Sequence, residues 1–125
     1  YDPGDGLLYL VLSDALFATG DYHYAADALR EALNKLPELA SLGLDKRDFY
    51  GNPADFESQL QLLEAYQRDH ELDEDAQLLL SANYLFSGRA QGALGVLESP
   101  FSEESASSEA RLLIRAAALG ILAGS

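Results

Sequence analysis

The 125-residue chain has no cysteine, methionine or tryptophan. Without cysteine it can form neither a disulfide nor a thiolate zinc site, and it offers no thiol nucleophile. Basic residues are also scarce, since 8 Lys and Arg stand against 21 Asp and Glu, a formal net charge of −13. This balance argues strongly against nucleic acid as a partner, because such binding begins with a basic patch on phosphate. It also argues against docking on anionic lipid.

Long hydrophobic runs are missing too. The densest apolar stretch, residues 7–12, is far shorter than a membrane span, so we expect no membrane insertion by this chain. The chain starts at Tyr1 without methionine, so we expect a fragment whose start and any targeting signal lie outside it, and the sequence does not indicate a compartment. Its length and 48% apolar content predict one folded domain over residues 1–125.

An internal repeat is the main feature that is present. The segment beginning at Leu7 aligns with the segment beginning at Asp75, so that Gly20 falls on Gly88, an offset of 68, or twice 34. A middle copy should lie between them, but only its second half is clear. We therefore predict repeats at about 6–39, 40–73 (degenerate) and 74–101, followed by a capping helix at about 102–122.

Apolar residues recur at three- and four-residue spacing through most of the chain, and no useful stretch alternates with period two. An all-α fold is therefore expected. The glycines at 20 and 88 are placed to end helices in the left-handed conformation, Asp21 to cap the next helix and Pro53 to start one. Residues 40–52 are expected to form a loop with a short helical turn near 46–50. The predicted helices are about 6–19, 22–36, 54–70, 75–87, 90–98 and 103–122.

The repeat unit resembles the tetratricopeptide repeat, a helix–turn–helix unit of about 34 residues, and the stretch Asn52–Gly88 resembles bacterial tetratricopeptide proteins of unassigned role. The resemblance implies an all-α, right-handed stack of antiparallel helix pairs and a role in binding proteins. It rests on the following repeat-signature residues: Leu12, Ser13, Leu16, Gly20, Ala25, Leu29, Ala32 and Pro37 in the first copy, and Leu80, Ser81, Tyr84, Gly88, Ala93 and Leu97 in the last.

Small residues explain how such helix pairs pack. Ser13 facing Ala25, and Ser81 facing Ala93, would let paired helices approach closely, while larger signature residues such as Leu12 fill the space toward the neighbouring pair. The last helix would close the stack with a stripe of Ala106, Ala110, Leu113, Ala117 and Ile121, and with Arg111 and Arg115 facing away from it.

Residues of the first helices that are not needed for pairing should line a concave inner face. We predict that this face binds a protein or peptide through Leu10, Asp14, Phe17, Ala18, Leu78, Ala82, Leu85 and Phe86. The alternative is that Phe17, Leu85 and Phe86 pack on the Phe49–Tyr50 segment in place of the lost middle helix. Neither first helix carries a lysine, so the partner should be neutral or basic. A second hypothesis is a structural or self-association module, which predicts a homodimer.

Catalytic and cofactor motifs are not evident. His23 and His70 have no metal ligands at suitable spacing on the same helical face, and His23 is expected at the surface. The acidic run 69–75 has Glu74 where a calcium loop needs glycine and Leu80 where it needs glutamate. It is expected to be a loop between repeats whose last carboxylates, from Asp73 on, favour the start of the next helix. Gly-rich phosphate loops are not found. We therefore expect no enzymatic activity, no metal and no cofactor.

Overall fold

A computed structural model describes residues 3–49, 52–98 and 109–124. Within these ranges the chain forms α-helices and 3₁₀ turns and contains no strand, which confirms the all-α prediction. The helices are α1 (Pro3–Ala18), α2 (Tyr22–Lys35), α3 (Pro53–Asp69), α4 (Glu74–Leu85), α5 (Ala90–Leu97) and α6 (Glu109–Ala123), with 3₁₀ turns at Pro37–Ser41 and Lys46–Phe49. The predicted start of the last helix near residue 103 lies outside the described residues, as do Pro100 and Ala106.

The two predicted glycine junctions have the same geometry. Gly20 and Gly88 adopt φ of 81° and 78°, the left-handed region where glycine meets no Cβ penalty. At each junction the glycine and the residue after it donate backbone hydrogen bonds back into the last turn: Gly20 to Phe17 and Asp21 to Leu16, and Gly88 to Leu85 and Arg89 to Tyr84. Both helices therefore end in a Schellman motif, and each is followed at once by its antiparallel partner.

Close approach of α1 and α2 is also confirmed. Ser13 and Ala25 are fully buried, and the Ser13 hydroxyl donates a 2.7 Å hydrogen bond to the Ala25 carbonyl across the pair. At the other end of the pair, a Cβ placed on Gly6 would lie 2.6 Å from the Leu36 Cβ. Small residues are needed at both places because the backbones are too close for larger ones. Ser81 and Ala93 are likewise fully buried in the α4/α5 pair.

Three helix starts were predicted from capping and first-turn residues. Pro53 opens α3 behind Asn52, whose side chain accepts from the Ala54 N–H, and Asp73 caps α4 by accepting from the Ala76 N–H. Asp21 occupies the cap position of α2, but its side chain makes no capping bond. The prediction for Asp21 is therefore wrong in its chemistry, although right in its position.

The apolar face of α1 is rotated relative to the prediction. Leu12, expected to fill the space toward a neighbouring pair, is 47% exposed, and Leu8 and Val11 are exposed as well. The buried side chains of α1 are instead Leu10, Ser13 and Phe17. Because α1 carries apolar residues around most of its circumference, its pattern did not determine which face would be covered.

The last helix also differs. Its buried face is Ala110, Arg111, Ile114 and Ala118, about one position away from the predicted stripe. Arg111 is 3% exposed and donates toward Gln77 and the Leu97 carbonyl, so the prediction that it faces away from the core is wrong. Arg115 is exposed as expected. Ile121, expected in the covered stripe, is exposed.

Helix α2 lies at the centre of the packing, against α1, α4 and α6. Helix α4 contacts α2, α3, α5 and α6, and residues 76–83 of it are all buried. Among the described residues of the middle copy, no α-helix precedes α3. The segment that runs through the two 3₁₀ turns occupies that place, and its second turn matches the short helical turn predicted near 46–50.

Candidate functional site

The eight residues predicted to line an open inner groove lie mostly in the core. The six apolar side chains with 1–4% exposure are Leu10, Phe17, Leu78, Ala82, Leu85 and Phe86. The expected display of these six toward solvent is therefore wrong. Ala18 is exposed, and Asp14 is partly buried with its side chain 18% exposed. The physical reason is that the space left by the missing middle helix is filled from within the chain.

Lys46 fills that space. Its side chain is buried and reaches in between α1 and α4 from the second 3₁₀ turn. Its Nζ lies 3.1 Å from an Asp14 carboxylate oxygen and donates a 2.9 Å hydrogen bond to Asn83 Oδ1. The same Nζ lies 5.6 Å and 6.0 Å from the ring centroids of Phe17 and Phe86. We call Asp14, Phe17, Asn83 and Phe86 the ammonium site.

Three members of the ammonium site are held by further contacts. The Asn83 amide donates to the Leu79 carbonyl 2.9 Å away, which leaves its oxygen facing the lysine. Phe17 packs against Phe56 of α3, with ring centroids 6.1 Å apart. The Lys46 N–H donates a 2.7 Å hydrogen bond to the Phe86 carbonyl, so the backbone of the turn is also attached to the end of α4.

Opposing electrostatic effects act on the ammonium group in this site. Burial lowers the pKa of Lys46 because the charged form loses its hydration, and the neighbouring Asp14 carboxylate opposes that effect. Two aromatic faces add attraction for a cation. The arrangement of one carboxylate, one amide oxygen and two rings can bind an alkylammonium ion and exclude water from it.

Sequence reasoning gave no reason to expect a buried titratable pair here. Asp14 was predicted for the inner face, but Lys46 was assigned to a loop far away in the sequence. The sequence did contain a signal, because Lys46 is a basic residue in the segment that replaces the middle helix, and Asp14, Phe17 and Phe86 could surround such a side chain. The alternative prediction was that Phe17, Leu85 and Phe86 pack on the segment that replaces the middle helix, and the contacts of Lys46 with the Phe17 and Phe86 rings agree with it. The Phe49 side chain and Tyr50, which that alternative named, lie outside what the structure describes.

A second polar cluster joins α2 to α4. His23 Nδ1 is 2.8 Å from one Asp75 carboxylate oxygen, and Arg30 donates a 2.6 Å hydrogen bond to the other. Tyr66 donates to Asp73, which lies 3.7 Å from His23 Nε2. The hydrogen bond that His23 makes to Asp75, together with the charge of Asp73, raises the pKa of His23. Partial burial alone would raise the pKa of Asp75, but the hydrogen bonds from His23 and Arg30 outweigh that effect and lower it.

This cluster has donors close enough together to surround a metal ion, because one ligand atom each of His23, Asp73 and Asp75 lie within 4.8 Å of one another. However, both oxygens of each carboxylate already have partners. Asp73 caps α4 and accepts from Tyr66, while Asp75 accepts from Arg30 and contacts His23. The cluster therefore acts as a polar contact between helices. His23 remains 61% exposed, as expected for a surface residue.

The described surface also contains an open groove of about 410 Å³ between the first 3₁₀ turn and α6. The residues that line it include Pro37, Ala40, Leu113, Ala117 and Ile121, and the lining carries no charged side chain. Such a groove offers apolar contact and no acid, base or metal ligand.

Across the described ranges, none of the helices combines the length and apolarity that crossing a bilayer requires. A scan against protein-family models finds no matching family, and searches of curated proteins and of solved structures find no significant match.

Proposed function

We propose that this chain is a non-catalytic protein-interaction scaffold of tetratricopeptide-like helix pairs, which binds a basic peptide segment on its inner face. The helix-pair part of the proposal is supported by two junctions with the same hydrogen bonds, at the aligned glycines Gly20 and Gly88. It is further supported by the hydrogen bond from Ser13 to Ala25, at the position where the repeat places two small residues.

The observation that carries the binding proposal is the ammonium site. It joins one residue pair from α1, Asp14 and Phe17, to the end of α4, so it lies where a peptide crossing the inner face would contact both helices. Its present occupant is a lysine of the chain itself. A partner that supplies a lysine side chain would meet the same carboxylate, amide oxygen and rings after displacing the loop.

The loop that carries Lys46 is attached in few places. Among residues 41–48, Lys46 is the only one that is buried. Arg47 is paired with Asp45 of the same loop, so this ion pair does not attach it to a helix. The loop is held by the Lys46 side chain, by its backbone hydrogen bond to Phe86 and by the partly buried Leu44, and a segment with so few attachments can be exchanged for a similar segment.

Charge supports a basic partner. The net charge of −13 attracts a basic segment and repels an acidic one, with the larger effect on the rate of encounter. A catalytic role for Lys46 is disfavoured because its ammonium is hydrogen-bonded to Asn83, paired with Asp14 and shielded from substrate.

The test uses the Lys46→Ala variant, which vacates the ammonium site, and a labelled peptide of residues 42–49 added in trans. We expect the variant to bind this peptide at least roughly tenfold more tightly than the wild-type chain does. The same peptide with norleucine in place of Lys46 is the matched control and should bind roughly tenfold more weakly. Circular dichroism first establishes that the variant keeps its helical content.

Equal affinity for the lysine and norleucine peptides would contradict the proposal, as would no binding by a folded variant. If the Lys46→Ala variant loses its helical content, a second measurement tests the proposal. In that case n-butylammonium should restore the helical circular dichroism by occupying the ammonium site, whereas n-butanol at the same concentration should not. Equal effects of the two compounds would also contradict the proposal.

A self-association module is the second candidate, favoured by exposed apolar side chains on α6. These are Leu112, Leu119, Ile121 and Leu122, which are 39–49% exposed. Sedimentation over a range of concentrations distinguishes the two functions, because only this candidate requires a concentration-dependent dimer.

A further inference from the structure

In the part of the chain that the structure describes, the outer face of α1 carries large apolar side chains that remain exposed. Leu7, Leu8, Val11 and Leu12 are 44%, 68%, 63% and 47% exposed. They follow one another at helical spacings of one, three and four, so they form one continuous patch. Apolar patches of this kind on a folded domain mark interaction surfaces.

The internal repeat indicates what covers this face. The residues aligned with these four in the last copy are Asp75, Ala76, Leu79 and Leu80 on α4, and the last three are 0–3% exposed. The corresponding face of α4 contacts elements that precede it in the chain. Asp75 contacts Arg30 of α2, and Tyr84 on the same side donates to Glu64 of α3.

Helix α2 shows which kinds of side chain pack on the corresponding face of α4. Its side toward α4 carries His23, Ala26 and Arg30 at spacings of three and four, with Ala26 buried, and the buried Leu33, one turn further on, lines a pocket with Ala110 and Leu113 of α6. Small and medium apolar residues fill the centre, and the two basic residues reach the acidic first turn of α4. The contact is therefore an apolar helix face flanked by basic groups.

Helix α1 has the acidic counterpart. Asp5 aligns with Asp73 in the repeat, lies in the first turn of α1 and is exposed. A helix laid on the outer face of α1 in the way that α2 lies on α4 would bring the counterpart of His23 near Asp5, since His23 Nε2 lies 3.7 Å from Asp73, and the counterpart of Arg30 over Leu7.

We propose that the outer face of α1 docks an amphipathic helix of a partner protein, with an alanine- and leucine-rich contact face and basic flanking residues. This surface lies apart from the ammonium site and does not depend on it. A second copy of this chain fits less well, because two molecules of net charge −13 repel each other.

The test measures binding of two synthetic helices to the intact chain by fluorescence anisotropy. The first probe is a peptide of residues 21–37, the α2 sequence. The second is the same peptide with Asp27→Lys and Glu31→Lys, which changes two exposed positions and makes the probe basic. We expect both to bind, the basic probe more tightly by roughly tenfold at low salt.

Leu8→Asp and Val11→Asp should each weaken probe binding by roughly tenfold or more. Both side chains are exposed, so both variants should fold. Leu62→Asp on α3, where the leucine is 65% exposed, is the matched control and should leave binding unchanged. Lys46→Ala should also leave it unchanged, which separates this surface from the inner-face proposal.

Three results would overturn this inference. They are no binding of either probe by a folded chain, binding that Val11→Asp does not weaken, and a self-dimer of the free chain that Val11→Asp dissociates. The last result would assign the face to a second copy.

Discussion

Removing the charge of Asp14 while keeping its shape is the sharpest test of the buried ion pair. In Asp14→Asn the Lys46 ammonium keeps its hydrogen bond to Asn83 and its two ring contacts but loses the neighbouring negative charge. An uncompensated charge would then remain in a site where the lysine side chain is 2% exposed. The expected result is a large loss of stability from a substitution that changes hardly any volume.

The magnitude follows from what buried pairs cost to break. Removing one partner of such a pair typically costs about 3–5 kcal/mol. The Asp14 side chain is still 18% exposed, so water can reach the pair, and we place the loss near the lower limit, at about 3 kcal/mol. For a chain of 125 residues this corresponds to a fall in melting temperature of roughly 10 °C.

Lys46→Met should be less harmful than Asp14→Asn. Methionine fills the same space between Phe17 and Phe86 without a charge, and the Asp14 carboxylate that loses the lysine is still 18% exposed and can be hydrated, so we expect a loss of about 1–2 kcal/mol. The double variant Asp14→Asn/Lys46→Met should be nearly as stable as Lys46→Met alone. The two substitutions should therefore be coupled by at least ~2 kcal/mol.

The assay is urea unfolding at neutral pH, followed by far-ultraviolet circular dichroism for the wild type, the two single variants and the double variant. A coupling energy within about 0.5 kcal/mol of zero would refute the reasoning. So would a loss of stability in Lys46→Met as large as that in Asp14→Asn, because the more exposed Asp14 carboxylate would then depend on the pair as strongly as the buried ammonium does.

Three further predictions concern the helix pairs and the polar contact between them. Ser81→Phe should lower the free energy of unfolding by ~1–3 kcal/mol through overpacking. Ser58→Phe, at an exposed position, should change the free energy of unfolding little. Equal effects of the two substitutions in chemical denaturation would contradict the pairing of α4 with α5. Gly20→Ala should lower the stability by about 1 kcal/mol because φ is 81° at this glycine. Gly95→Ala, in helical backbone with open space around it, should raise the stability by about 0.5–1 kcal/mol. If both variants shift the melting temperature in the same direction, backbone conformation does not explain the effect of Gly20→Ala. His23 has a raised pKa in the folded chain, so its stabilising effect is complete below pH 6.5 and is lost as the pH rises through the folded pKa. Over that window the free energy of unfolding of the wild type should fall by up to about 1 kcal/mol relative to that of His23→Gln. Parallel curves of stability against pH for the two proteins would contradict this prediction.

The local structure of this chain was largely predictable from its residues. Glycine at 20 and 88, proline at 53 and the three- and four-residue apolar spacing depend on short-range sterics and hydrogen bonds, and the helices lie where these signals place them. The contact between Ser13 and Ala25 was predictable as well, because only small residues fit where two helices approach closely.

The site was less predictable because it depends on which faces become covered. Helix α1 is apolar on several sides, so its sequence is compatible with burying either Leu12 or Phe17. The choice depends on the loop that replaces the middle helix, and a loop has no periodic pattern. Arg111 was misplaced for a related reason, since an arginine was assumed to face solvent and instead reaches Gln77 and a carbonyl inside.

Nuclear magnetic resonance of selectively labelled lysine tests the ammonium site most directly. The chain contains two lysines, Lys35 and Lys46, so a sample labelled with ¹³C and ¹⁵N in lysine gives few signals to assign. We predict nuclear Overhauser contacts from the Lys46 side chain to the ring protons of both Phe17 and Phe86, and an ammonium protected from exchange with water. A Lys46 side chain with rapid ammonium exchange and no contact to either ring would contradict the account.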